Sequence, residues 1–386
     1  MGCLSSIQDM SNARLVRTLR GLVLTKTPVL PCSVVTKMLE MLSILTFTPK
    51  QTVSLLASVS ILRERCPVEL QAALFRYVSA NISTDHLKSL SVHDLSQAVL
   101  SFGFLVKAQA AGTTDHTRVG EALVQTATEK LTPDARIVRN LTKGVAMLRL
   151  PLSSNLLKFF KSLPTSGLSI DEHVFVLRAA VDYGIFPPDI IKQILTSDLT
   201  CISASSASSL LYSLAMCGVL PDRDTRKYIV ESALEHNVVI AMWCCKILGI
   251  RADHILQTQA DRLAEALNSS NPKERAMAEF VQGLTRPVSS HLKQSAAQVK
   301  LKTHLEEKYG PLLVEYEVVP GVVCDYASPA TKTALEIDGP SHFLVDLSSG
   351  LEVRNGPTKF KENQLIANGW TTVSVRAQQA RFISNS

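Results

Sequence analysis

The chain has 386 residues, of which 46% are hydrophobic and 19% charged, so it can bury two or three folded cores and is not extensively disordered. Its net charge of +6 excludes a uniformly basic nucleic-acid sleeve, because a polyanion would have to be met by local patches. No apolar run approaches the roughly 20 residues that cross a bilayer, which predicts a protein without a membrane span.

Residues 1–50 form a basic N-terminal segment, with six Lys or Arg against two acidic residues. Its apolar residues recur at helical spacing and predict an amphipathic helix with arginines on the opposite face. The apolar face is formed by Leu15, Val16, Leu19, Leu22 and Val23, and the basic face by Arg14, Arg17 and Arg20. This acid-poor start resembles a mitochondrial transit peptide, and a plain first helix of the fold explains it too. The opening "MGCLSS" also fits the N-myristoylation pattern, with Cys3 available for palmitoylation.

Residues 51–285 contain a recurring phrase in which an apolar helix is followed by a break at proline and a second helix. The copies are "LLASVSILRERCPVELQAALFRYV" (55–78), "GVAMLRLPLSSNLLKFFKSL" (144–163), "FVLRAAVDYGIFPPDIIKQIL" (175–195) and "LLYSLAMCGVLPDRDTRKYIVESAL" (210–234). The breaks at Pro151, Pro187 and Pro221 are 36 and 34 residues apart.

A period in the mid-thirties with two helices per unit predicts an α-solenoid, because one helical hairpin buries its apolar stripe only by stacking on another. Small residues inside the first helices are expected to let neighbouring helices approach closely. They are Ala57, Ala146, Ala179 and Ala215. A curved solenoid face typically binds protein or RNA, and the pattern alone does not choose between them.

The repeating helical pattern ends before residues 286–386, where a predicted helix at 291–310 precedes short strand candidates divided by turn residues. The strands are predicted at 312–319, 322–327, 333–338 and 370–376. A turn-rich stretch (348–358) and a helix (359–369) come before the last strand, which can therefore return parallel through a helical crossover.

The phrases "LEIDGPSHF" and "NGPTKFKENQLIANGW" resemble the RAP domain, an RNA-binding domain abundant in apicomplexans, over about the last fifth of the chain. RAP domains typically follow helical repeats, as in octatricopeptide and heptatricopeptide arrays and the Fas-activated serine/threonine kinase-like family. The tail "RAQQARFISNS" departs from the domain in lacking a Trp near its end. The predicted fold is therefore mainly α: an α-solenoid of helical-hairpin repeats followed by a small, restriction-endonuclease-like α/β RAP domain.

This resemblance implies an RNA-binding protein of the mitochondrial matrix, engaging rRNA or transcripts through the repeats and the RAP domain. The preferred version is a component or assembly factor of the mitochondrial ribosome, with ribosomal or other ribonucleoprotein proteins as neighbours. A free factor for processing or stability of organellar mRNA, and a protein-binding scaffold, are the alternatives.

The resemblance to restriction endonucleases also raises a nuclease alternative. Its carboxylates would be Asp325, Glu336 and Asp338, holding Mg²⁺, of which the last two share a strand face. The usual lysine position is an acid here, so Lys332, or Lys359 or Lys361 on the next helix, would have to reach in. If Phe360 is the buried position of that helix, both of its lysines turn away from the core.

A binding cleft without turnover is therefore the favoured interpretation, with no catalytic residue, metal or cofactor. Its expected RNA-binding residues are Asp338, Gly339, Pro340, Ser341, His342, Phe343, Lys359 and Lys361. A purely structural alternative has Asp338 and Ser341 fold the Gly339–Pro340 turn through side-chain-to-backbone hydrogen bonds, with Phe343 packing beneath.

The eight cysteines are scattered, without a C-x-x-C pair or histidines at zinc-ligand spacing. This pattern predicts free, mostly buried thiols in a reducing compartment.

Overall fold

The computed structural model describes residues 12–24, 30, 32–44, 46–62, 64, 66–108, 114–251, 257–283 and 296–376. The lipidation pattern around Cys3, the segment 286–290, the start of the predicted helix at 291 and the tail 377–386 lie outside the described residues. Contacts divide the chain into two compact units, Met1–Tyr183 and Gly184–Ser386. The predicted boundary at 285/286 falls among undescribed residues and stays a prediction.

The described part of the first unit is helical. Its helices are α1 (Asn12–Leu24), α2 (Cys32–Ile44), α3 (Pro49–Ile61), α4 (Val68–Asn81), α5 (Thr84–Lys88), α6 (Val92–Ala108), α7 (Thr114–Glu129), α8 (Ala135–Leu148), α9 (Ser154–Ser162) and α10 (Ile170–Asp182). Local sequence sets several starts: Thr48 with Gln51, and Ser169 with Glu172, form capping boxes at α3 and α10.

The amphipathic pattern of the first helix is confirmed by its packing. Leu15, Val16 and Leu19 are buried, and α1 packs on α3, while its three arginines are exposed. The helix therefore contributes part of its apolar face to the core of the first unit.

Two layers of helices form this core. The first helix of each pair contacts the first helix of the next pair, in the order α1, α3, α6, α8 and α10. The second helices of the pairs contact one another in the order α2, α4, α7 and α9. At the contact of α6 with α8, a β-carbon on Gly144 would lie 2.6 Å from the backbone of Val99 and Leu100. Glycine, rather than the predicted alanine, allows this approach, and Ala146 remains half-buried.

The second unit combines helices with two small sheets. Its helices are α11 (Pro188–Leu195), α12 (Ala204–Cys217), α13 (Arg223–His236), α14 (Val238–Ile247), α15 (Ala260–Leu267), α16 (Pro272–Gln282), α17 (Ala296–Tyr309) and α18 (Gly356–Ala367). Its strands are β1 (Ile185–Phe186), β2 (Leu313–Val319), β3 (Val322–Ser328), β4 (Thr333–Asp338), β5 (Phe343–Asp346), β6 (Glu352–Arg354) and β7 (Thr371–Arg376).

Proline marks the predicted breaks between paired helices in both units. Pro67 and Pro151 fall between α3 and α4 and between α8 and α9, while Pro187 and Pro221 precede α11 and α13. The helical pairs are therefore confirmed. In the described part of the chain, no helix combines the length and the apolar character needed to cross a membrane.

The larger sheet has the order β2-β3-β4-β7, and its last pair is parallel, as predicted for a helical crossover through α18. One face packs on α17, where Leu301 and Leu305 meet Leu335. On the other face, Leu365 of α18 packs with Cys324 and Ala334. The sheet and α18 thus form the two walls between which polar side chains meet.

A second sheet, with the order β1-β5-β6, was not predicted from the sequence. Its strand β1 lies between α10 and α11 and pairs in parallel with β5, which pairs antiparallel with β6. The stretch 348–358, predicted as turns, instead holds β6 and the start of α18. These strands of two to four residues are too short to show a repeating apolar pattern.

Candidate functional site

A cleft of about 160 Å³ lies between α18 and the end of the larger sheet. Its lining is mixed, with three acidic and three potentially cationic side chains beside hydroxyl groups. The lining residues are Glu336, Asp338, His342, Arg354, Pro357, Thr358, Lys361, Glu362, Leu365, Thr372, Val373 and Ser374. Both phrases that resemble the RAP domain contribute to it.

Asn355 holds these two phrases together. Its side-chain oxygen caps α18 by accepting from the Thr358 amide at 2.9 Å, and its Nδ2 donates to the Ser341 carbonyl at 2.7 Å. Its backbone amide also donates to the carbonyl of His342 at 3.0 Å. Asn355 is only 5% exposed, and its two side-chain bonds are partly shielded from solvent. The "NGPT" motif therefore starts the helix and fixes the loop that follows β4.

The turn at Gly339–Pro340 is a short 3₁₀ helix (Pro340–His342). The His342 amide donates to the carbonyl of Gly339, and Asn355 binds the carbonyl of Ser341. The structural alternative named the wrong residues, because Asn355 rather than Asp338 or Ser341 supplies the side-chain hydrogen bond. Pro340 and Ser341 remain exposed at the edge of the cleft.

Asp338 is the most buried acid of the cleft, at 3% exposure. Its Oδ2 accepts from the Ser374 hydroxyl and lies 3.6 Å from Arg354. The Nδ1 of His342 lies 3.0 Å from Oδ1 without hydrogen-bond geometry, so this oxygen has no hydrogen-bond partner among the described residues. The Thr358 hydroxyl approaches the same His342 nitrogen at 3.4 Å. Asp338 is thus surrounded by the Ser374 hydroxyl, the Arg354 guanidinium and the His342 ring.

Glu336 forms a second paired site in the cleft. The Lys361 ammonium donates to its Oε2 at 2.6 Å, and the Cys324 thiol is close enough to interact with the carboxyl group. Burial raises the pKa of Glu336 above its usual 4.5, and the nearby Lys361 charge opposes that rise. Burial and the Glu336 charge together raise the pKa of Cys324 to about 12. The thiol therefore stays protonated at neutral pH.

Arg354 completes the charge network between α18 and the sheet. Its guanidinium lies 2.5 Å from Glu362 and 3.6 Å from Asp338, so it bridges the helix and the sheet. The Thr372 hydroxyl meets the same Glu362 at 3.5 Å. These contacts leave each cationic side chain of the cleft paired with an acid.

The carboxylates do not fit a divalent metal site. Asp325 Oδ2 accepts from the backbone amide of Ile337 at 2.6 Å, while Glu336 and Asp338 are engaged by Lys361 and Ser374. Within the described ranges, no group of three His, Cys, Asp or Glu residues is arranged to hold a metal ion. Each of the three carboxylates thus makes a contact within the protein, and together they are not arranged as a set of metal ligands.

The predicted orientation of Lys361 is wrong, and Lys332 is not placed to supply the missing cation. Lys361 turns into the cleft rather than away, because Phe360 packs edge-on against Phe280 of α16, with ring centroids 5.8 Å apart. Lys332 precedes β4, whereas Asp338 ends it, so about 20 Å of strand separates the two residues. Lys332 therefore lies far from the cleft.

The remaining predicted residues lie around the cleft without lining it. Phe343 is buried at 9% exposure, and the Arg376 guanidinium covers its ring at 3.5 Å. Lys359 is exposed and lies beside Gly218 at the end of α12. The half-buried Gly339 begins the loop.

Sequence reasoning missed Arg354, Glu362 and Ser374. Ser374 could have been found, because the predicted parallel return of β7 places it beside Glu336, on the face shared with Asp338. Arg354 gave no signal, since a single arginine in a turn-rich stretch belongs to no repeating pattern.

Comparison with known proteins gives no match for this chain, either to a protein-family model or to a curated protein.

Proposed function

We propose that this protein binds RNA in the mitochondrial matrix and that its C-terminal cleft contacts an unpaired nucleotide. The main observation in favour of this proposal is that both phrases resembling the RAP domain fold into one cleft with cationic side chains. His342, Arg354 and Lys361 keep 34%, 28% and 29% of their side-chain surface exposed while contacting acids. Arg354 and Lys361 each have more hydrogen-bond donors than their contacts with acids use, so they are suited to meeting phosphate oxygens while the cleft holds a base.

We also propose that the paired helices form an α-solenoid and that the C-terminal residues form a RAP domain. The two ordered layers of helices in the first unit support an α-solenoid, and the crossover through α18 supports a restriction-endonuclease-like RAP domain. The solenoid face would share the RNA contacts. The low net charge favours a partner already inside a ribonucleoprotein, with the mitochondrial ribosome preferred over a free messenger-processing role.

We propose that the cleft binds RNA without cleaving it. Phosphodiester hydrolysis needs a cation that stabilises the charge developing on the phosphate. The nearest ammonium, that of Lys361, is neutralised by Glu336 at 2.6 Å, and the carboxylates do not fit a metal. Incubation of purified protein with single-stranded and structured RNA plus Mg²⁺ or Mn²⁺ should leave the RNA intact. Cleavage that is lost in Glu336→Ala would contradict this proposal.

Crosslinking of the full-length protein tests the RNA-binding proposal. Ultraviolet irradiation with single-stranded RNA containing 4-thiouridine should give adducts on peptides from residues 336–376. Exposed Lys359, on the helix that carries Lys361, would meet a phosphate at the edge of the cleft. The double variant His342→Ala/Lys359→Ala should therefore bind RNA about tenfold more weakly and show a shallower salt dependence. Lys227→Ala, on the exposed face of α13, is the matched control and should bind normally.

The outcomes separate the alternatives. Adducts confined to residues 12–283 would transfer binding to the helices and reject the cleft. Absence of any adduct would overturn RNA binding and favour the protein scaffold. Density-gradient fractionation of mitochondria should place the protein with ribosomal particles, whereas recovery only with crosslinked messenger would favour the free factor.

A further inference from the structure

A second pocket lies on the other side of the first turns of α18, within the same unit. Its volume is about 350 Å³, more than twice that of the cleft. Four elements form it: α14, α16, the β2–β3 hairpin and α18. The lining residues are Trp243, Ile247, Ala276, Glu279, Phe280, Glu317, Gly321, Val322, Val323, Pro357, Phe360 and Lys361.

Three partly exposed aromatic rings line this pocket, in a chain whose aromatic content is only 5%. Phe280 and Phe360 meet edge to face at 5.8 Å, and Trp243 stacks on Tyr212 at 5.8 Å. The ammonium of Lys246 lies 4.5 Å from the centre of the Phe280 ring. One of these rings therefore already holds a cation against its face.

The charges around the pocket favour a cationic guest. Glu279 and Glu317 contribute carboxylates to the lining. The lining ammonium of Lys361 is already bound to Glu336. The other nearby ammonium, that of Lys246, donates to the backbone carbonyl of Phe280. Acids beside aromatic faces attract a cation and repel the phosphates of RNA.

We propose that this pocket binds an arginine side chain from a basic segment of a partner protein. A guanidinium is planar, so it can stack on Trp243 or Phe360 while donating hydrogen bonds to Glu317. The two pockets share Pro357 and Lys361 in their linings, but arginine binding here does not require RNA binding in the cleft.

Intrinsic fluorescence provides a direct readout. The chain has two tryptophans, Trp243 and Trp370, so Trp370→Phe leaves Trp243 in the pocket wall as the only one. The full-length variant is titrated with acetyl-Gly-Arg-Gly-amide and, separately, with the same peptide carrying citrulline, a neutral isostere of arginine. We expect a saturable change with arginine and about tenfold weaker binding of citrulline.

Glu317→Gln isolates the charge. Its amide oxygen can still accept from the backbone amide of Gly321, as Glu317 Oε1 does at 2.7 Å, so the hairpin turn is kept. This variant should lose the preference for arginine over citrulline. Glu235→Gln, on the exposed surface of α13, should preserve it.

Two results would overturn the inference. Equal binding of the arginine and citrulline peptides, or no binding of either, would exclude a cation site. Tighter binding of uridine or adenosine monophosphate than of the arginine peptide would make the pocket a nucleotide site instead.

Discussion

Gly356 lies so close to Ala215 that a β-carbon on Gly356 would be 1.7 Å from the carbonyl oxygen of Ala215. The first residue of α18 thus packs directly on the last turn of α12. No side chain can enter this contact unless one of the two helices moves.

Gly356→Ala should therefore destabilise the second unit by about 1–3 kcal/mol or more, because overpacking displaces backbone rather than a flexible side chain. Both tryptophans lie in this unit, so their fluorescence during urea unfolding measures the loss. Gly339→Ala is the control, since nothing lies within 4 Å of its added β-carbon. Equal stability of the two variants would show that the helices separate easily.

Asn355→Ala should lower the free energy of unfolding by about 1–2 kcal/mol and destabilise two segments at once. It removes the cap of α18 and the bond to the Ser341 carbonyl, so the Thr358 amide and the Ser341 carbonyl lose these partners. Hydrogen exchange should quicken both in α18 and in residues 340–346. Asn271→Ala removes an exposed cap with a single bond to Lys273, so only the start of α16 should exchange faster. Protection of residues 340–346 in Asn355→Ala would contradict the bridging role.

Asn355 and Gly356 show which features of the fold can be predicted from the sequence and which cannot. "NGPT" predicts a helix start by its cap and proline, but the need for glycine depends on Ala215, a residue far away in the chain. Strands β2, β3, β4 and β7 were predicted within one residue at each end, because turn residues separate them. The orientation of Lys361 was predicted wrongly because it depends on the packing of Phe360 against Phe280. No local sequence pattern identifies Phe280 as the partner of Phe360.

The raised pKa of Glu336 predicts a specific pH dependence of stability. The folded protein binds this proton more tightly than the unfolded chain, because burial penalises the carboxylate. The contribution of Glu336 to stability is therefore present in full below pH 4.5 and is lost as pH rises through the folded pKa. Glu336→Gln should abolish this loss.

Urea titrations of the second unit between about pH 4.5 and 7.5 should measure it. The wild type should lose stability relative to Glu336→Gln as pH increases. Glu235→Gln should run parallel to the wild type, since its side chain is exposed. A constant difference between wild type and Glu336→Gln across this range would contradict the assignment.

Thiol labelling should divide the cysteines into two classes. Cys32 and Cys201 are exposed, whereas the other five described cysteines are buried. Burial raises the pKa of Cys66, Cys217, Cys245 and Cys324 to about 12. Iodoacetamide followed by mass spectrometry should modify the exposed pair at least about a hundredfold faster in native protein. Rapid native labelling of Cys324 would show that the cleft opens.

Strand β1 limits how freely the C-terminal part can be exchanged between proteins. Its two residues, Ile185 and Phe186, belong to the helical part of the sequence but pair with Val345 and Asp346. Ala215 likewise meets Gly356. A chimera that replaced residues 286–386 with those of another repeat protein would have to recreate both contacts. The C-terminal hundred residues therefore make contacts that depend on the identity of the helices before them.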